Sequence, residues 1–286
     1  MLQYLISGIT SGSIYALVAL GFVLIYKSTG IVNFAQGELV MIGAYFALFF
    51  SSFHLPYIIL FILAAICSFF VGILIHNLVC RPLMRAHHLC VVIATFALSF
   101  LIRSLIRFIW GSQYYSFTSP FPDKIYEFWD LIISSNNLWI TVISLVIMLV
   151  FYLLFKFTKT GKSMFATAQN ADAASLMGIG INKTFSLIWG ASAALAAVSG
   201  ILLAPISAVS PYMGGISIKA FAAAVLGGFN SLPGAVVGGF LIGIIETLGA
   251  IYISSAYKDI IAFIILIVVL VGKPTGILGK ETVKRA

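Results

Sequence analysis

The sequence predicts an all-α integral membrane protein, a bundle of about eight transmembrane helices plus a short half-helix or re-entrant segment. Three observations predict it. Of the 286 residues, 62% are hydrophobic and only 8% are charged, whereas an average soluble domain carries about 25% charged residues. The mean hydropathy of +1.14 excludes water as the main solvent. Apolar runs recur along the chain at lengths near the roughly 20 residues that a helix needs to cross the hydrocarbon core. No stretch is polar enough to cover a soluble core, so residues 1–286 read as a single transmembrane domain.

The first span, Leu5 to Tyr26, has no basic region before it and no small-residue cleavage site, so it is expected to be retained as a helix. Phe34 to Phe53, Tyr57 to Val79 and Leu89 to Trp110 follow, then Leu138 to Phe155, Phe185 to Ala208, Gly234 to Ile253 and Ile260 to Gly272. The stretch from Lys219 to Phe229 is apolar but too short to cross alone. Gly227, Gly228, Asn230, Pro233 and Gly234 break it from the next helix, as suits backbone surrounded by protein rather than lipid.

Orientation follows from Lys and Arg in short loops. Arg81 with Arg85, Lys156 with Lys159 and Lys162, and Lys273 with Lys280, Lys284 and Arg285 form three clusters expected on the cytoplasmic face. The loop from Gly111 to Asn137 then lies outside, and Tyr114, Tyr115, Phe117, Phe121, Tyr126, Phe128, Trp129 and Trp139 fit an interfacial aromatic belt. A tail inside and an N-terminus outside require an odd number of crossings. Either the segment from Lys219 crosses with help from its neighbours, or the N-terminus lies on the other side. The net charge of +8 sits in these loop clusters, which argues for a membrane and against nucleic acid as partner.

Lipid tails are as apolar as leucine, so membrane helices associate through small residues and interhelical polar contacts. Gly8, Gly12 and Ala16 recur every four residues on the first helix, as do Ser192, Ala196, Gly200 and Ala204 on the sixth, and Gly239 and Gly243 form GxxxG later. Each sets a small stripe on one helical face. Cys67, Cys80 and Cys90 lie in or beside apolar runs without metal-ligand spacing and read as small packing residues. His54, His76, His87 and His88 read as loop or helix-end residues.

Ionisable groups inside a bilayer are costly, about 2.5 to 3.5 kcal/mol at the centre, and so face protein or water. Glu246 shares a face with the GxxxG stripe and should point into the bundle. Arg103 and Arg107 share a face of the fourth helix. At about 1.5 Å per residue, Arg103 lies on the order of 21 Å and Glu246 on the order of 18 Å from the cytoplasmic ends of their helices. They are therefore expected either to pair, or to leave the arginines snorkelling to the outer interface. Asn33, Gln36 and Glu38 gather at the start of the second helix, where a carboxylate is favoured by the dipole and the free N–H groups. Capping and substrate contact both fit them. Asn33, Glu38, Arg103 and Glu246 are the candidate pathway residues.

Gly161-Lys162-Ser163 resembles the end of a phosphate-binding loop, but Lys156 stands where that loop needs glycine, and Gly279-Lys280 continues with Glu281. Neither is a nucleotide site. No catalytic triad, HExxH or carboxylate pair stands out, so an enzyme and a bound metal are not expected. An ion-coupled secondary transporter, with Glu246 as ion ligand, is the alternative that residue types alone leave open.

The loop of about 157–181, Thr160-GKSMFATAQNADAASLMGIG-Ile181, is Ala-rich and amphipathic enough for a short helix ending at Gly178 or Gly180. It is longer than a typical helix-to-helix connection, which favours docking. Three blocks, Gly12-SIYALVALGFVLIYKSTGIVNFAQGE-Leu39, this loop, and Lys219-AFAAAVLGGFNSLPGAVVGGFLIGIIE-Thr247 with Tyr257-Lys258-Asp259 and Pro274-Thr275-Gly276-Ile277-Leu278-Gly279, resemble the branched-chain amino acid ABC transporter permeases of the LivH type.

The resemblance implies a bacterial inner-membrane importer subunit whose partners are a second related permease, two cytoplasmic ATPase subunits and a periplasmic substrate-binding protein. ATP would be bound by the partners, with no cofactor on this chain. It also implies a coupling helix seated on an ATPase, with Ala168, Gln169, Asn170, Ala173, Ala174, Gly178 and Ile179 at the motif positions. Phe165 departs from the Arg usual in relatives, which suggests an apolar contact in place of a polar one.

Overall fold

A computed structural model describes residues 2–84, 87–121, 124–128, 131–254, 257–273 and 275–279. Arg85, Trp129, Pro274, Lys280, Glu281, Lys284 and Arg285, which figure in the readings above, lie outside them, as do the side chains of His88, Tyr126 and Phe128.

The chain is mostly helical: α1 Leu2–Thr29, α2 Gln36–Ser51, α3 Tyr57–Ile75, α4 His88–Trp110, α5 Ser135–Phe157, α6 Lys159–Gln169, α7 Ala171–Leu176, α8 Ile181–Ser207, α9 Ile216–Gly227, α10 Leu232–Tyr252 and α11 Lys258–Gly272. The expected outer loop also holds a small antiparallel hairpin, β1 Ile125–Phe128 with β2 Leu131–Ser134, which the all-α expectation did not include. Among the described residues six helices are long and apolar enough to cross a membrane, namely α1, α3 with its continuation to Leu83, α4, α5, α8 and α10. Two spans expected from the sequence are shorter helices, α2 with 16 residues and α11 with 15.

Contacts divide the chain into two compact units. The first comprises Met1–Val23, Phe121–Ser144 and Ile216–Ala286. Here two of the small-residue stripes mate: α1 runs antiparallel to α10, with Gly8 against Ile244, Gly12 against Phe240, and Gly239 and Gly243 against Ala16 and Gly12. A Cβ on Gly12 would lie 2.8 Å from the Phe240 Cα, so the approach requires glycine. α9 packs on α10 and α11. After α11 the chain returns, and Ile277 and Leu278 donate backbone N–H groups to the carbonyls of Leu226 and Gly227 at 2.8 and 3.1 Å.

The second unit comprises Leu24–Pro120 and Leu145–Gly215. Its centre is α8, on which α2 and α3 pack. Gly43 lies against Ala197, Gly200 against Val40, and Gly72 against Trp189 and Ala193, so the third stripe also serves backbone approach. α3 continues through a π-helical turn, His76–Cys80, into Arg81–Leu83. His76 is thereby fully buried beside the rings of Phe185 and Trp189. That corrects its reading as a loop or helix-end residue: the π turn carries the helix past the polar residue instead of stopping there.

Candidate functional site

α1 ends at Thr29, where Gly30, with φ +69°, donates to the Tyr26 carbonyl, and five more residues lead to α2. This break is satisfied by protein. Asn33 Oδ1 accepts from the Ala35 N–H at 3.0 Å, and the Asn33 amide donates to Gln36 Oε1 at 3.2 Å. The Gln36 amide donates to the Ser192 carbonyl at 3.4 Å, and Ser192 Oγ donates back to Gln36 Oε1 at 3.1 Å. The Phe34 N–H reaches Thr95 Oγ1 at 3.2 Å. Asn33, Gln36, Ser192 and Thr95 are all fully buried, so protein encloses the break.

Asn33 thus acts as a local turn residue, and Gln36 ties α2 to α8. Glu38, in the first turn of α2, is buried and forms an ion pair with Arg103 of α4. The Gly214 backbone presses on the same carboxylate, where a Cβ would meet Oε1 at 2.8 Å. One turn beyond Arg103, the Arg107 guanidinium lies 5.1 Å from the centroid of the Tyr212 ring, which stacks on Tyr114. Next to the pair is an apolar pocket of about 300 Å3 between α2, α3 and α4. It is lined by Ile42, Tyr45, Phe46, Val71, Ile75, Ile102, Leu105, Ile106, Ile109 and Trp110.

In the other unit, Glu246 of α10 points inward as its stripe predicts and is fully buried. Lys219 of α9 donates to Glu246 Oε1 at 2.6 Å and to Asp259 Oδ1 of α11 at 2.8 Å. Lys258 stands 3.5 Å from Glu246, and Tyr15 of α1 lies under the Lys219 ammonium at 5.9 Å.

The segment between α5 and α8 is two short helices rather than one. Thr158 caps α6 by accepting from the Gly161 N–H at 3.0 Å, and Asn170 breaks the helix and caps α7 by accepting from the Ala173 N–H at 2.9 Å. α7 ends at Leu176, and the chain turns away at Gly178, with φ +80°. Gln169, Asn170, Ala173 and Gly178 are exposed, Ala168 and Ile179 half-buried, and Ala174 buried. Phe165 receives the Lys27 ammonium at 5.1 Å from its ring centroid.

A family model described as branched-chain amino acid transport system / permease component matches residues 4–270. The chain belongs to this family. Among relatives of the permease, the protein of Salmonella typhimurium named high-affinity branched-chain amino acid transport system permease protein LivH is 33% identical, over 99% of this chain and 97% of its own. The corresponding protein BraD of Pseudomonas aeruginosa is 34% identical with the same coverage. A probable branched-chain amino acid transport permease protein LivH of Methanocaldococcus jannaschii is 32% identical over 94% of this chain and 90% of its own. No solved structure matches the chain.

The ion-pair pattern corrects one expectation. Arg103 pairs with Glu38, and Glu246 with Lys219, so the anticipated pair of Arg103 and Glu246 does not form. Depth along a helix does not fix which way a side chain points around the axis. Sequence reasoning missed Lys219, Lys258 and Asp259 as members of the permease's charged network. A usable signal existed: a lysine inside an apolar segment needs an acid, and Glu38, Glu246 and Asp259 are the acids carried by apolar helices.

Proposed function

We propose that the chain is the substrate-translocating permease subunit of an ABC importer for branched-chain or other hydrophobic amino acids. The observation that carries this reading is its full-length similarity to the Salmonella typhimurium and Pseudomonas aeruginosa proteins named for high-affinity branched-chain amino acid transport. ATP is hydrolysed on two separate cytoplasmic subunits, a second related permease completes the membrane part, and a periplasmic binding protein delivers substrate. This chain holds no cofactor of its own.

In the inner membrane the chain makes nine crossings: the eight long segments expected from sequence, plus α9. Its N-terminus faces outward and its C-terminus the cytoplasm. The return of Ile277 and Leu278 onto the C-terminal carbonyls of α9 supports this, because it puts the end of α9 and the end of α11 on one side. The α6–α7 segment couples the permease to an ATPase. Leu176 and Met177 support that role: they are 88% and 83% exposed at the tip of α7, and large apolar side chains left bare on a polar segment mark a protein contact. When ATP closes the ATPase pair, the segment moves with it and the helices reorient the pathway, driven by the difference in contact between two states.

The test is to replace Leu176 and Met177 together by serine in the assembled transporter. Loss of ATPase co-purification and of ATP-driven leucine uptake in vesicles, with an unchanged melting temperature, is expected. Uptake that ignores ATP and follows an ion gradient would overturn the reading.

A further inference from the structure

The Glu38–Arg103 pair keeps hydrogen-bonding capacity in reserve. Glu38 is 2% exposed, yet its Oε2 has no partner among the described residues, and the buried Arg103 Nε has none either. An unpartnered carboxylate oxygen this deep is costly unless something comes to meet it. Arg103 itself is one-third exposed, and Arg107, one turn on, rests on an aromatic ring with no acidic partner among the described residues. Two guanidinium groups therefore face one carboxylate, and the local charge can receive an anion without displacing Glu38.

The apolar pocket begins about one helical turn from this pair on both helices: Ile42 follows Glu38 by four residues, and Ile106 follows Arg103 by three. Residues four apart on a helix are surface neighbours. About 300 Å3 is at the lower end of small-molecule sites, and its exposed wall is entirely apolar, formed by aliphatic side chains and the rings of Tyr45, Phe46 and Trp110. A free acceptor, a free donor and an apolar recess within a turn of each other match the three parts of an apolar amino acid. A lipid chain could fill the recess but has no use for the acceptor.

We infer that the Glu38–Arg103 pair and the recess between α2, α3 and α4 form a subsite for the amino acid in transit. Its ammonium meets Glu38 Oε2, its carboxylate meets the Arg103 side, and its apolar side chain enters the recess beside Ile42 and Ile106. The inference rests on the amino-acid importer reading and assigns it a place in this chain. The recess then adds size selection within the membrane to whatever the delivering protein selects.

The experiment uses the complete transporter in vesicles, with saturating binding protein loaded with leucine, isoleucine or valine, so that delivery is equal. Ile106→Phe fills the recess and should raise the valine-to-leucine ratio of maximal rates about tenfold, the scale at which pockets resolve a methylene; Ile42→Ala enlarges it and should lower the ratio. Ratios unchanged in both variants, or an equal loss for all substrates as a displaced lipid would give, overturn the subsite. If either variant transports nothing, Ile42→Cys in a transporter whose native cysteines are replaced by alanine decides. Protection of this cysteine from maleimide by leucine supports the subsite, and absence of protection overturns it. Should the unaltered transporter fail to move any of the three amino acids with ATP, the importer reading itself falls.

Discussion

Replacing Lys219 by methionine preserves the length of the side chain and removes its charge. Glu246 is then left fully buried with Lys258 at 3.5 Å as its remaining cation, and that lysine is 42% exposed and so largely screened. Removing one member of a buried ion pair costs about 3–5 kcal/mol, and the residual Lys258 contact puts the expected loss near about 3 kcal/mol. At about 2–4 °C per kcal/mol for a chain of this size, the apparent melting temperature of the purified protein in detergent falls by roughly 6–12 °C. Glu246→Gln removes the buried charge itself and leaves Lys219 bonded to Asp259 at 2.8 Å, so it costs only about 1 kcal/mol. Lys219→Met combined with Glu246→Leu leaves no uncompensated charge and recovers most of the loss. Lys258→Met costs under about 1 kcal/mol. The reasoning is refuted if Lys219→Met lowers the melting temperature no more than Lys258→Met, or if the double variant is as unstable as the sum of its parts.

Gly200→Val places a Cβ on the Val40 carbonyl and should cost about 1–3 kcal/mol or more in chemical denaturation, whereas Gly215→Ala, with open space around it, should stay within about 0.5 kcal/mol. Asn170→Ala removes the cap of α7 and should cost that helix about 1 kcal/mol, read as faster amide exchange over residues 171–176 than in the unaltered protein. Phe165→Arg exchanges a cation–π contact for a like charge beside Lys27 and should lose about 1 kcal/mol, more at low salt than at high salt when melting is followed in both.

The helices were legible because crossing a membrane imposes a length and an apolar composition that survive in a single sequence. Gly8, Gly12, Gly239 and Gly243 were legible too, since membrane packing leaves few reasons for a four-residue glycine period other than close approach, and these stripes meet each other. The ends of α2 were less so. Its apolar run reaches Phe53, but the helix stops at Ser51, because nothing in hydropathy distinguishes a final helical turn from an apolar loop. The division of the segment between α5 and α8 at Asn170 could have been read, since Asn followed by Ala-Asp-Ala suits a cap, but an Ala-rich stretch on either side favours one continuous helix. His76 was hidden for a different reason: a π turn leaves no mark in composition.

Partner choice among the charged residues required the third dimension, yet its logic can be stated from helix ends. α2 and α9 are both short, heavily buried helices reached through breaks in regular structure, and each carries a charge at its start: Glu38 is the third residue of α2 and Lys219 the fourth of α9. The N-terminus of a helix presents free N–H groups and a partial positive charge, worth about 0.3–1 kcal/mol to a carboxylate and costing a cation about as much. Glu38 is on the favourable side of that field and, among the described residues, has one cation, Arg103, in salt-bridge contact. Lys219 is on the unfavourable side and is held by two acids, Glu246 and Asp259. The difference in partner number follows the sign of the charge. One oxygen of Glu38 and one of Glu246 stay without a hydrogen-bond partner among the described residues, while Lys219, held by both of its acids, braces α9 against α10 and α11.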